Sequence, residues 1–76
     1  MEEKFLECFK EVVEIEDRDL SLTDHFRDYE EWDSLAFLSV IAMIDEEYNV
    51  LIEGNDFKKL ETVGDILNAI KERQGN

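Results

Sequence analysis

The stretch WDSLAFLSVIAMIDEEYNV (residues 32–50) sets the fold class. Asp33 and Ser34 are both good helix N-caps, and no glycine or proline interrupts the chain from there to Asn49. Winding the segment at about 100° per residue sorts its apolar side chains into two groups. Phe37, Val40, Ile41, Ile44 and Tyr48 share one face, the expected core face. Leu35, Leu38 and Ala42 share another, bordered by Asp45 and Glu46. A helix in a small bundle needs only one apolar stripe, so the second strip either faces a neighbouring loop or meets a partner.

Working outward, Phe5, Cys8, Phe9, Val12 and Val13 fall at helical spacing and predict a first helix. Its pattern fades near residues 16–19. The connection LSLTDHFRDYEEW (residues 20–32) is long but carries Leu20, Leu22, Phe26, Tyr29 and Trp32, enough apolar surface to be pinned on a core. Trp32 is expected to plug the end of the bundle. Beyond Asn49, VLIEGN (residues 50–55) reads as extended or turn, and residues 56–60 as one helical turn. Thr62 and Asp65 stand at capping-box spacing ahead of a last helix on Val63, Ile66, Leu67 and Ile70. The polar tail KERQGN (residues 71–76) is expected to fray. The fold is thus all-α, a small four-helix bundle: three main helices, one short helix, and a long structured loop between the first two. A single domain over residues 1–76 accommodates it.

Composition narrows the function. With 21 acids against 8 bases the net charge is −13, which repels nucleic acid and anionic membranes alike. Residues 28–57 hold nine acids and no base, a one-sign field suited to steering a basic partner. No apolar run approaches the roughly 20 residues of a membrane span. The start MEEKFLECFK has neither the basic region nor the apolar run of a secretory signal, so a cytoplasmic monomer is expected. One cysteine permits no internal disulfide, and Cys8, on the apolar face of the first helix, reads as an inert core thiol. Asp17, Asp19, Ser21 and Thr23 have the rhythm of a calcium loop, but Leu22 stands where glycine is needed and Asp28 where a glutamate is, so no metal is expected. His25 has no supporting partner for catalysis. Ser34 differs, because a helix N-terminus favours a phosphate ester on the hydroxyl there, although an isolated Asp-Ser-Leu is more often just a cap.

Trp32-Asp33-Ser34-Leu35 and the helix behind it resemble the modification motif of acyl carrier proteins. The similarity runs on through Val50-Leu51-Ile52 and residues 60–66, and back through residues 22–27 to the first helix. It implies a non-catalytic carrier with a covalent 4′-phosphopantetheine arm on Ser34, Asp33 assisting its attachment. It further implies docking through Leu35, Leu38, Ala42, Asp45, Glu46 and Ile52, and a bundle lined by Phe5, Phe9, Phe37, Ile41, Ile44, Val63, Ile66 and Ile70. Implied partners are a phosphopantetheinyl transferase and acyl-loading and acyl-transferring enzymes with basic patches. Trp32, Phe37, Ser39 and the Lys58-Lys59 pair depart from the housekeeping fatty-acid carriers and point to a specialised pathway, with fatty acid or polyketide biosynthesis as the setting. An aminoacyl or peptidyl carrier bearing the same arm is one alternative reading. An unmodified acidic adaptor that only docks proteins is the other.

Overall fold

The computed structural model describes residues 2–74. It contains helices α1 (Glu2–Val13), α2 (Ser34–Tyr48), α3 (Gly54–Phe57) and α4 (Val63–Gln74), and a one-turn 3-10 helix at Phe26–Asp28. α1 and α4 both pack against α2. Among the described residues there is no β-strand beyond a single bridge between His25 and Thr62, and no helix is long and apolar enough to cross a membrane.

Each helix end has a local cause. α1 closes in a Schellman arrangement: the Ile15 N–H donates to the Lys10 carbonyl at 3.0 Å and the Glu14 N–H to the Glu11 carbonyl at 3.2 Å. Glu14 takes the left-handed conformation this needs, with φ of 64°, and Ile15 turns into the core. α2 starts on Asp33, whose Oδ1 accepts from the Ala36 N–H at 2.8 Å, and stops at Asn49, also left-handed with φ of 56°. α4 is closed by the expected capping box with aspartate in the acid position. Thr62 Oγ1 accepts from the Asp65 N–H at 3.0 Å, while Asp65 Oδ2 accepts from Thr62 and Glu61 N–H groups at 3.1 Å each. These backbone bonds hold the Asp65 carboxyl below the usual carboxylate range.

Four expectations need correction. The core stripe of α2 is Ala36, Val40, Met43 and Ile44, leaving Phe37, Ile41 and Tyr48 half-buried at its border. α3 lies earlier than residues 56–60, because the Phe57 N–H already bonds to the Glu53 carbonyl at 2.9 Å and residues 58–60 form only tight turns. The polar tail does not fray through Gln74: Gln74 Nε2 donates to the Tyr48 carbonyl at 3.2 Å, and Arg73 reaches Asp56 at 3.2 Å. Residues 75 and 76 of that tail lie outside the described ones. Finally, Cys8 is half-buried rather than fully buried, though its partial burial raises the thiol pKa as an unreactive thiol requires.

The long loop is fastened at both ends of its course. Arg18 grips Glu31 at 2.7 Å and stands 5.5 Å from the centre of the Tyr29 ring, while the Tyr29 hydroxyl donates to Asp24 at 2.8 Å. The guanidinium of Arg18 holds the Glu31 carboxyl below its ordinary pKa. Backbone bonds then tie the loop to the start of α4: Gly64 N–H to the Leu22 carbonyl at 2.8 Å, and Val63 N–H to the Asp24 carbonyl at 3.0 Å. A Cβ on Gly64 would sit 2.9 Å from that Leu22 oxygen, inside the contact limit. Gly64→Ala is therefore expected to cost about 1–3 kcal/mol, read as a lowered urea midpoint with unchanged slope. An unshifted midpoint would show that the two segments part without penalty.

Candidate functional site

Ser34 is the first residue of α2, and its side chain is exposed. Because Asp33 supplies the cap, the Ser34 hydroxyl takes part in no hydrogen bond among the described residues. The Ala36 N–H is taken by Asp33 Oδ1 and the Phe37 N–H by the Asp33 carbonyl, at 3.0 Å. The Ser34 and Leu35 N–H groups have no acceptor among the described residues and lie at the positive end of the helix dipole. The two residues singled out from the sequence are thus brought together with separate places: Asp33 fixes the backbone, and Ser34 presents an exposed hydroxyl.

The approach to Ser34 is built from aromatic rings. Trp32 is half-buried and lies parallel between Phe9 and Phe57, with centroid separations of 6.2 and 6.1 Å and interplanar angles of 4° and 2°. The ring of Phe26 meets it edge-on at 4.8 Å, and Phe37 meets Phe57 at 5.2 Å. Trp32 is the plug its sequence position predicts, and it fixes where the chain enters α2. Offset stacks and edge contacts of this kind contribute about 0.5–1.5 kcal/mol each beyond area burial.

Beside Ser34 opens a hollow of about 370 Å³ walled by Trp32, Phe37 and Phe57, with Asp33, Arg27 and Lys58 at its rim. Arg27 is held by its own donors, Nη1 to the Leu60 carbonyl and Nη2 to the Phe57 carbonyl at 3.2 Å. No sequence signal singles out Arg27, and Lys58 stands out there only as a departure from related carriers. The two lie far apart along the chain, and no local pattern connects them to Ser34.

The donor set suits a phosphodiester on Ser34. It comprises an exposed hydroxyl, two unspent first-turn N–H groups and nearby cations, with aromatic walls for an organic arm. A larger hollow of about 690 Å³ at the end of α1 is bordered by Glu7, Lys10, Glu11, Glu14, Ile15 and Glu16, and offers neither a hydroxyl nor aromatic walls.

The second apolar strip of α2 faces solvent and not the long loop. Leu35 is 70% exposed and Leu38 59%, and Ala42, Asp45 and Glu46 are exposed too. Ile52 is a correction: it is 1% exposed and belongs to the core. Residues 50–52 alternate in burial: Val50 and Ile52 go inward, and Leu51, 66% exposed, goes outward. That alternation was the available signal for Leu51.

Comparison with known proteins agrees with this geometry. The family model described as "Phosphopantetheine attachment site" matches residues 3–70. Acyl carrier proteins of Chlamydia caviae and Chlamydia felis are each 42% identical over 43 residues, 57% of this chain. Those matches span only 56% and 55% of the relatives, little more than half their length. The acyl carrier protein of Borrelia garinii subsp. bavariensis is 26% identical over 72 residues, 95% of this chain and 90% of its own. Among solved structures, the solution structure of a holo acyl carrier protein from Geobacter metallireducens superposes with a TM-score of 0.82. It covers 96% of this chain and 84% of that one at 20% identity, a likeness of fold.

Proposed function

Since the chain belongs to the phosphopantetheine-attachment family of acyl carrier proteins, we propose that residues 1–76 form one carrier domain whose Ser34 bears a 4′-phosphopantetheine arm. The observation that carries this reading is the exposed Ser34 hydroxyl, left free at the helix start because Asp33 does the capping. In attachment, Ser34 Oγ forms a bond to the phosphopantetheine phosphorus of coenzyme A as the diphosphate P–O bond breaks. The hydroxyl proton passes to a base of the transferase, and adenosine 3′,5′-bisphosphate leaves. Asp33 caps with Oδ1 alone, which keeps Oδ2 available to the transferase during that step. The bound arm supplies a thiol that carries acyl groups as thioesters; the chain itself contributes position and docking.

Partners are read as a phosphopantetheinyl transferase and acyl-handling enzymes that meet the strip of Leu35, Leu38 and Ala42 with its acids Asp45 and Glu46. Support for a specialised pathway comes from Trp32, Phe37 and Phe57, whose rings pack at the end of the bundle near Ser34 and leave an open hollow there and not an enclosed cavity. Both the monomeric state and the cytoplasmic setting belong to this proposal.

The test is direct. Incubating the purified protein with coenzyme A and a broad-specificity transferase is expected to add the mass of one phosphopantetheine, mapped to the peptide containing Ser34. An unchanged intact mass would sink the carrier reading and leave the docking-only adaptor. The docking face has its own check: replacing Asp45 and Glu46 with lysine is expected to slow association with a basic transferase about tenfold or more at low salt. Stopped-flow association at an unchanged rate would remove that face from consideration.

A further inference from the structure

The groove beside Ser34 breaks the one-sign field around it, since residues 28–57 contain no base. Its walls are aromatic, and its rim carries the cations that bracket that segment, Arg27 and Lys58. Arg27 is spoken for by the carbonyls of Leu60 and Phe57, which fixes its guanidinium at the rim while leaving other N–H donors unspent. Lys58 is exposed and, among the described residues, makes no ion pair despite 21 acids in the chain. The charge of Asp33 works against an anion here. However, Asp33 Oδ1 is committed to the Ala36 N–H, and against its single negative charge the rim sets two cations, Arg27 and Lys58.

We propose that Lys58 is a positioning residue which, together with Arg27, draws the phosphodiester on Ser34 to the rim and lays the arm along Trp32, Phe37 and Phe57. This inference rests on the attachment proposed above. A phosphodiester joined directly to Ser34 Oγ cannot leave the mouth of the groove, so its choice is between the cations on one side and open solvent on the other. Once the phosphate is held, the uncharged pantetheine portion covers the exposed parts of Trp32 and Phe37, both half-buried, above the buried ring of Phe57. The arm rests on the protein between visits to enzymes and is protected there from unproductive contacts.

Trp32 is the single tryptophan and lines the groove, so it reports occupancy without a label. Acrylamide quenching of its fluorescence is measured in the apo form and in the form loaded from coenzyme A. Loading is expected to reduce the quenching constant by about half, the change produced when a partly exposed charge pair shifts the arm roughly fivefold toward the groove. Loaded Lys58→Glu is expected to return to the apo value, whereas loaded Lys58→Arg keeps the protection. In the apo form all three proteins should quench alike, which a merely structural role for Lys58 would not give. Equal quenching of apo and loaded parent protein, or full protection in loaded Lys58→Glu, overturns the proposal. If the mass shows loading without protection, this inference alone falls; if no mass is added, the attachment reading falls and takes this one with it.

Discussion

Ser34→Ala is expected to abolish loading completely while leaving the stability of the domain within about 0.5 kcal/mol of the parent. The separation follows from the division of labour at the start of α2. Ser34 is exposed, its hydroxyl makes no hydrogen bond among the described residues, and alanine is at least as good a helix former in the first turn. Asp33→Ala should behave differently. It removes the acceptor for the Ala36 N–H at 2.8 Å and leaves a first-turn donor unpaired, a loss of about 0.5–2 kcal/mol. Intact mass after incubation with coenzyme A and transferase reads the first effect, and urea denaturation reads the second. Residual loading of Ser34→Ala would place the attachment on another hydroxyl. A Ser34→Ala protein that unfolds early would mean that the serine, and not the aspartate, secures the helix.

The second large effect lies in the loop, at Phe26→Ala. Phe26 is fully buried, with ring contacts to Trp32 at 4.8 Å, Phe57 at 5.5 Å and Phe9 at 6.5 Å. The guanidinium of Arg27 stands 4.6 Å from its ring centre. Truncating a buried phenylalanine costs about 3–5 kcal/mol. A domain of this length has a total stability of roughly 4–11 kcal/mol, so the loss takes about a quarter of it at least and in the less favourable case all of it. The expected result is a collapsed urea midpoint together with a red-shifted Trp32 emission, because the Phe9–Trp32–Phe57 stack loses its edge contact. A midpoint close to the parent value would show that the loop rests on the bundle without anchoring it.

Why these two residues differ in legibility is instructive. Ser34 is readable from its neighbours because caps, helix starts and the Asp-Ser-Leu motif are all local. The capping box at Thr62 and Asp65 is readable for the same reason. Phe26 shows in the sequence only as an apolar residue in a polar loop; its burial depends on Phe57 and Trp32, and no sequence periodicity connects the three. The rotation of α2 escapes for another cause. That helix is apolar nearly all round, with residues 35–38 and 40–44 uncharged and mostly hydrophobic, so its periodicity cannot choose between Phe37 with Ile41 and Ala36 with Met43. Packing buries Ala36 and Met43 and leaves Phe37 and Ile41 at the border. α3 is misplaced from sequence because four residues are too few to show a period. Resemblance puts Ile52 on the surface, whereas the alternation of residues 50–52 points to Leu51. The groove at Ser34 is invisible in the sequence because Arg27 and Lys58 meet only after the chain has folded.

The bonds that fasten residues 22–24 to residues 63–64 have a consequence in time. Asp24 and Val63 stand 39 positions apart, so this clasp closes only after the start of α4 has been made. α1 and α2 can pair earlier, since the stretch between them is shorter. The stretch at residues 22–24, ahead of Ser34, nevertheless gains its backbone partners only when α4 arrives. On a ribosome, which releases the N-terminal part first, the serine emerges well before it is presentable. A transferase that requires the folded entrance to α2 must wait for α4 to clear the exit tunnel. On the attachment proposed above, the order of synthesis sets the earliest moment at which the carrier can be armed.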